Sequence, residues 1–202
     1  MTFQQLDTEP AADESRWLDG TWMQTFTGRR FSIAQPHPDD VAIEDVAHHL
    51  SMLCRYAGAV RKFYSVAEHS VLVARLLADE GFDTEVQFAG LMHDATEAYC
   101  ADLARPVKVQ CPDYQAVEDR IWKRAIAPRF GLPEHLPAAV KWADNLALFM
   151  ERRDLLAVPP APWDGEEELV KQMRPWAINA YAPIRAKDAF MEEFARLSSA
   201  RR

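Results

Sequence analysis

No stretch of the chain approaches the ~18 consecutive apolar residues that a membrane-spanning helix needs. The opening segment MTFQQLDTEPAADES also lacks the basic and apolar regions of a signal peptide, so a cytoplasmic protein is expected. Cysteine is scarce: Cys54, Cys100 and Cys111 are odd in number and none has CxxC spacing, which argues against a disulfide framework or a zinc knot and for free thiols. Basic charge is short as well, with 23 Lys and Arg against 31 Asp and Glu and a net charge of -8. A protein that wraps duplex nucleic acid needs the opposite balance. A small anionic substrate is still permitted, because a local cation cluster or a bound metal can reverse the potential. The Gly-rich loop GxxxxGK[ST] is missing, which argues against a kinase or motor ATPase, and there is no repeat or low-complexity tract.

What the chain does have is helical periodicity. Its 202 residues are 49% hydrophobic and 27% charged, enough for one packed core and too short for two average domains. Residues 1–16 are polar, acidic and expected to be loosely ordered; TWMQTFTGRRF and the turn-rich AQPHPDD complete a partly irregular N-terminal extension over residues 1–40. The packed domain is expected over residues 41–197, with 198–202 as a tail. IEDVAHHLSMLCRYAG reads as a first helix ending at Gly58, and SVAEHSVLVARLLADEG as a second with Ser65 as N-cap and Gly81 as stop. A third covers Thr84 to Cys100, and the ADLARPVK that follows is broken by Pro106. PDYQAVEDRIWKRAIAPRFG forms a fourth, closed by glycine, and LPAAVKWADNLALFMERRDLLA a strongly periodic fifth with Pro137 in its first turn. VPPAPWDGE is a loop, and VKQMRPWAINAYAPIRAKDAFMEEFARL holds one or two terminal helices. No segment reads as a strand. The fold class is therefore all-α, a single-domain bundle of about six or seven helices.

Polar groups on the apolar faces of these helices need an explanation. Leu72, Val73, Leu76 and Leu77 put His69 on a core-facing stripe. Val86, Ala89 and Gly90 do the same for His93, with Asp94 beside it, and Val140, Ala147 and Leu148 do so for Asp144. A lone inward histidine is more often a hydrogen-bonded core residue than a ligand, and Asp144 by itself could pair with an arginine. Two ionised carboxylates facing a core, however, are costly unless something cationic sits there. Two imidazoles and two carboxylates suit Zn²⁺, Mn²⁺, Fe²⁺ or Co²⁺ rather than a copper thiolate or an all-oxygen calcium site, so one divalent transition-metal ion is the expected cofactor.

The order H…HD…D, carried by AEHSVLVARLL, GLMHDATEAY and WADNLALFMERRDLL between Val41 and Leu155, resembles the HD-domain phosphohydrolases. The bare HD dipeptide is a weak motif, but EHS, HDATEA, DLARPVK and ADN in this order are a specific set. Within that superfamily the chain looks most like the HD-type 5'-deoxynucleotidases and their compact relatives, the phage-type dATP triphosphohydrolases. Its intervals from His69 to His93 and from Asp94 to Asp144 are shorter than in the bacterial nucleotidases and closer to the phage type.

The resemblance implies an HD-domain fold with His69, His93, Asp94 and Asp144 as metal ligands. It implies that Glu97 orients or deprotonates the attacking water and that Asp102 handles a proton near the leaving group. Read as ordinary residues, Glu97 is a solvated helix carboxylate and Asp102 a cap. Arg55-Tyr56 resembles the Arg-Trp pair that grips the phosphate and shapes the sugar pocket, with Tyr in place of Trp; the arginine fork matches phosphate oxygens. Lys108 adds positive charge in this reading and is otherwise a snorkelling surface lysine. His48 or His49 can face the substrate, though neither matches a ligand position. The implied function is metal-dependent hydrolysis of nucleotide phosphate esters, foremost as a 5'-deoxynucleotidase releasing phosphate from deoxynucleoside monophosphates. A dNTP triphosphohydrolase and a non-catalytic nucleotide-sensing module are the alternatives. The implied partners are a small-molecule nucleotide and further copies of the chain, as a dimer or larger homo-oligomer.

Overall fold

The computed structural model describes residues 21–201, so the polar opening segment and the last residue of the expected tail lie outside the described part. The described chain begins with a hairpin that the sequence reading misses. β1 (Trp22–Gln24) pairs antiparallel with β2 (Arg30–Ser32), Met23 opposite Phe31. Three residues per strand are too few for an alternating pattern to stand out. Gly28, at φ +82°, makes the turn. The hairpin is then fastened to α1 (Ile43–Met52), where the Thr27 N–H and hydroxyl donate to the Asp45 carboxylate at 2.7 and 2.9 Å.

The rest is helical. α2 (Val66–Asp79) starts at Ser65, whose hydroxyl accepts the Glu68 N–H at 3.2 Å, and stops before Gly81 at φ +81°, both as the sequence predicts. α3 (Thr84–Met92) is followed by α4 (Glu97–Cys100), α5 (Arg105–Lys108) and α6 (Pro112–Ile121). A π-helical turn over Trp122–Ile126 leads into α7 (Ala127–Phe130), which closes at Gly131 with φ +63°. The wider turn accommodates Pro128, which has no N–H to give to a regular ladder. α8 (Ala138–Leu155), α9 (Glu166–Val170) and α10 (Pro183–Ala200) complete the chain. Six of these helices have nine residues or more, so the all-α single-domain class and the helix count both agree with the sequence reading. Among the described residues no helix is long and apolar enough to cross a membrane.

Several boundaries differ from expectation. The first helix stops at Met52 rather than Gly58; Leu53 is extended, Cys54 bridges to Ser65, and Arg55–Gly58 is a separate turn in which Tyr56 and Ala57 take φ of 58° and 49°. The third helix breaks after Met92, and residues 93–96 form a turn tightened by Ala95 N–H to Met92 O and Glu97 N–H to Asp94 O bonds. Pro137 is the N-cap of α8 instead of a first-turn residue, and α10 runs to Ala200, beyond the expected boundary at 197.

α2 lies between two apolar clusters. One, with Leu50, Val66, Phe88, Ile126 and Phe190, joins α1, α3 and α10; the other, with Leu72, Leu76, Leu77, Leu146 and Met150, joins α2 to α8. The polar groups singled out above converge at this seam.

Candidate metal centre

Three elements deliver the converging side chains. His69 leaves α2 fully buried, Asp144 comes from the middle of α8, and His93 sits one residue past the end of α3. Gly90 sets how closely α3 can approach: a Cβ there would meet Leu77 Cδ1 at 2.4 Å and Val73 Cγ1 at 3.4 Å. That close approach puts His93 against α2. His69, His93 and Asp144 each offer a ligand atom within 4.8 Å of the others, and the group can hold a metal ion. The two Nε2 atoms are 3.3 Å apart, and Asp144 Oδ1 is 3.3 Å from His69 Nε2 and 4.0 Å from His93 Nε2. Donors ~2.1 Å from one ion stand about 3.0–3.4 Å apart when adjacent in its shell, which the two 3.3 Å spacings match, and up to ~4.2 Å apart on opposite sides, which bounds the 4.0 Å one. Asp94 borders the group, its Oδ2 3.2 Å from His93 Nε2 and 3.6 Å from His69 Nε2.

Both imidazoles are oriented from behind. His93 Nδ1 lies 2.8 Å from the Gly90 carbonyl, which can only accept, so Nδ1 carries the hydrogen and Nε2 keeps its lone pair. His69 Nδ1 lies 2.5 Å from Glu151 Oε1, and the same argument directs its Nε2 to the shared point. Glu151 is fully buried and collects more: the Tyr56 hydroxyl donates at 2.5 Å, the Tyr64 hydroxyl at 3.0 Å and Arg55 Nε at 3.3 Å. The sequence reading overlooked this residue. Ala147 and Leu155 flank it at i-4 and i+4, so the test that picked out Asp144 would have found it one helical stretch further on.

The electrostatics are those of carboxylates kept ionised by the positive groups around them. Burial pushes the Asp94 carboxyl up, but His93, His69 and Arg55 outweigh it and hold it low. Asp144 is likewise raised by burial and then held well below the carboxylate range by His69, His93 and Lys141. Burial and Arg55 oppose protonation of His69, yet Glu151 and Asp144 raise it to about 9. A proton on His69 and a cation at the shared point answer the same surplus of negative charge. The Asp94 and Asp144 side chains are 20% and 23% exposed against 0% and 7% for the two histidines, so the cluster opens on the carboxylate side.

The remaining candidates surround that opening. Arg55, nearly buried, reaches Asp94 Oδ2 with Nη1 at 3.5 Å while its Nε faces Glu151. Tyr56 commits its hydroxyl inward to Glu151, with its ring centre 5.5 Å from the Arg55 guanidinium carbon. Glu97 is buried at the start of α4, and its Oε2 has no hydrogen-bond partner among the described residues. Burial, then Asp94 and Asp102, raise its proton affinity well above the ordinary value. Lys108 Nζ sits 2.9 Å from Glu118 Oε1 and 3.6 Å from Glu97 Oε1. Asp102 is half-buried, and burial raises its carboxyl too. His48 and His49 lie away from the metal group, on α1 under the hairpin. The three cysteines are free and half-buried.

No family model matches the chain. It is 38% identical over 182 residues to the Uncharacterized protein YfdR of Escherichia coli K12, covering 90% of this chain and 98% of that protein. It is 35% identical over 181 residues to the Uncharacterized protein RCAP_rcc00048 of Rhodobacter capsulatus, covering 84% of this chain and 91% of that one. Identity at this level along nearly the whole of both sequences means that the chain belongs to the YfdR family.

Proposed function

We propose that the protein is a metal-dependent phosphohydrolase of the HD type that cleaves phosphate esters of nucleotides, foremost as a 5'-deoxynucleotidase acting on deoxynucleoside monophosphates. One observation carries this reading: two imidazoles have Nδ1 engaged by acceptors and turn their Nε2 atoms to one point flanked by Asp94 and Asp144. A divalent transition-metal ion held by His69, His93, Asp94 and Asp144 would supply Lewis acidity and positive charge to a phosphate. Arg55 holds a phosphate oxygen through the guanidinium nitrogens that Glu151 leaves free. Glu97, with one oxygen unpartnered and a raised proton affinity, takes the proton of the attacking water. Asp102, also raised by burial, returns a proton to the leaving sugar oxygen. The balance is ester plus water to nucleoside plus phosphate.

The cations around the opening favour a monophosphate. Arg55, Lys108 and Lys141 are each already paired with a carboxylate, at 3.5 Å to Asp94, 2.9 Å to Glu118 and 2.7 Å to Asp144. A triphosphate carries more charge than these neutralised cations are suited to receive. The same reading makes the protein a cytoplasmic homo-oligomer without duplex nucleic acid as a partner, the latter in line with the net charge of -8.

The test is elemental analysis followed by product analysis over a nucleotide panel. Inorganic phosphate from deoxynucleoside monophosphates is the expected result; intact tripolyphosphate from dNTPs would make it a triphosphohydrolase. His93→Ala and Asp94→Ala should lose both metal and turnover, while Glu97→Ala should keep the metal and lose about 100-fold or more in kcat. Metal-loaded protein that turns over nothing would leave a nucleotide-sensing module and overturn the proposal.

A further inference from the structure

Between the hairpin and the α1–α4 pair lies an open cavity of about 640 Å³, within the roughly 300–1,000 Å³ of small-molecule sites. Its walls run directly into the segments that carry the proposed chemistry. Met52 and Leu53 line it and lead into Arg55; Glu97 and Ala101 line it and lead into Asp102. Among the described residues no Lys or Arg lines it and Glu97 is its only acid, so these walls offer nothing to a phosphate. What it offers instead is an aromatic wall. His48 stacks on Phe26 with centroids 3.7 Å apart and an interplanar angle of 17°, and Lys187 Nζ covers the Phe26 ring at 4.6 Å.

That wall is held rigidly. His49 engages both ring nitrogens, Nδ1 donating to the Ala98 carbonyl at 2.7 Å and Nε2 accepting the Phe26 N–H at 3.1 Å, which ties the hairpin to α1 and α4. Burial, then Lys187, hold the His48 imidazole below its ordinary 6.5, so it meets a ligand uncharged at neutral pH. A neutral, planar, aromatic body fits these surroundings.

We propose that this cavity receives the base and sugar of the nucleotide, with His48 on Phe26 as its stacking platform, an inference that rests on the phosphohydrolase reading for where the phosphate goes. The base is recognised largely by its π-face.

The experiment titrates the metal-free protein with 2'-deoxyadenosine and, separately, with inorganic phosphate, while the histidine ring C–H resonances are followed by NMR; His48→Ala assigns the His48 signals. The nucleoside should move the His48 resonances and inorganic phosphate should not. Phe26→Ala, at a position 53% exposed and therefore safe for folding, should weaken the nucleoside about fivefold or more. A nucleoside that leaves His48 unmoved, or binds Phe26→Ala as tightly as the unaltered protein, overturns the inference. If nucleosides move His48 but no nucleotide is hydrolysed, the cavity assignment stands and the phosphohydrolase reading falls. If nucleotides are hydrolysed and His48 stays still, the reverse holds.

Discussion

At the scale of single residues, Glu151 is the side chain on which most depends. One buried carboxylate accepts from His69, Tyr56, Tyr64 and Arg55, so it sets the tautomer of His69 and the aim of the Arg55 guanidinium together. Glu151→Gln keeps the volume but cannot satisfy four donors with one oxygen. It should lower metal affinity about 10–100-fold, read by competition with a chromophoric chelator; an unchanged affinity would reduce Glu151 to packing. His69, His93 and Asp144 were legible because each stands alone among apolar residues at helical spacing. Glu151 obeys the same rule, but its role depends on Arg55, Tyr56, Tyr64 and His69, which only the fold brings to it. The inward commitment of Tyr56 was not legible at all: it depends on a residue 95 positions away.

At the scale of elements, the juxtaposition of α2 and α3 matters most. A Cβ on Gly90 would meet Leu77 first, with Val73 and Ala74 behind it, so Gly90→Ala must displace a buried leucine tip. The expected cost is about 1–3 kcal/mol in urea denaturation, with weaker metal binding as His93 is pushed away; a neutral result would show that Leu77 has room to turn. The extents of α2, of the α6–α7 run and of α8 could be read from caps, glycines and periodicity. The break after Met92 could not, because ATEAYC has ordinary helix formers and only three-dimensional packing tightens it into a turn. The hairpin was hidden by brevity and by a dependence on Asp45 in another element.

At the scale of the whole molecule, the segment before α10 is clasped to α8 by charge. Asp154 accepts the Ile178 N–H at 2.9 Å, while Arg153 donates to the Arg174 and Trp176 carbonyls and to Asp154 itself. Arg153 and then the Ile178 amide hold the Asp154 carboxyl below its ordinary 3.8. A depressed carboxyl stabilises the fold above that value and ceases to as the pH falls through its folded value. Urea midpoints of the unaltered protein and Asp154→Asn should therefore differ at neutral pH and converge below about pH 4; a gap independent of pH would assign the effect to shape. The seam position of α2 has a further consequence. Its amides face one apolar cluster on each side and reach water only when both come apart, so they should be the last to trade hydrogen for deuterium. Because His69 rides on that same helix, metal at 100 times its Kd should slow this exchange by about 100-fold, making the innermost backbone a gauge of what the cluster holds.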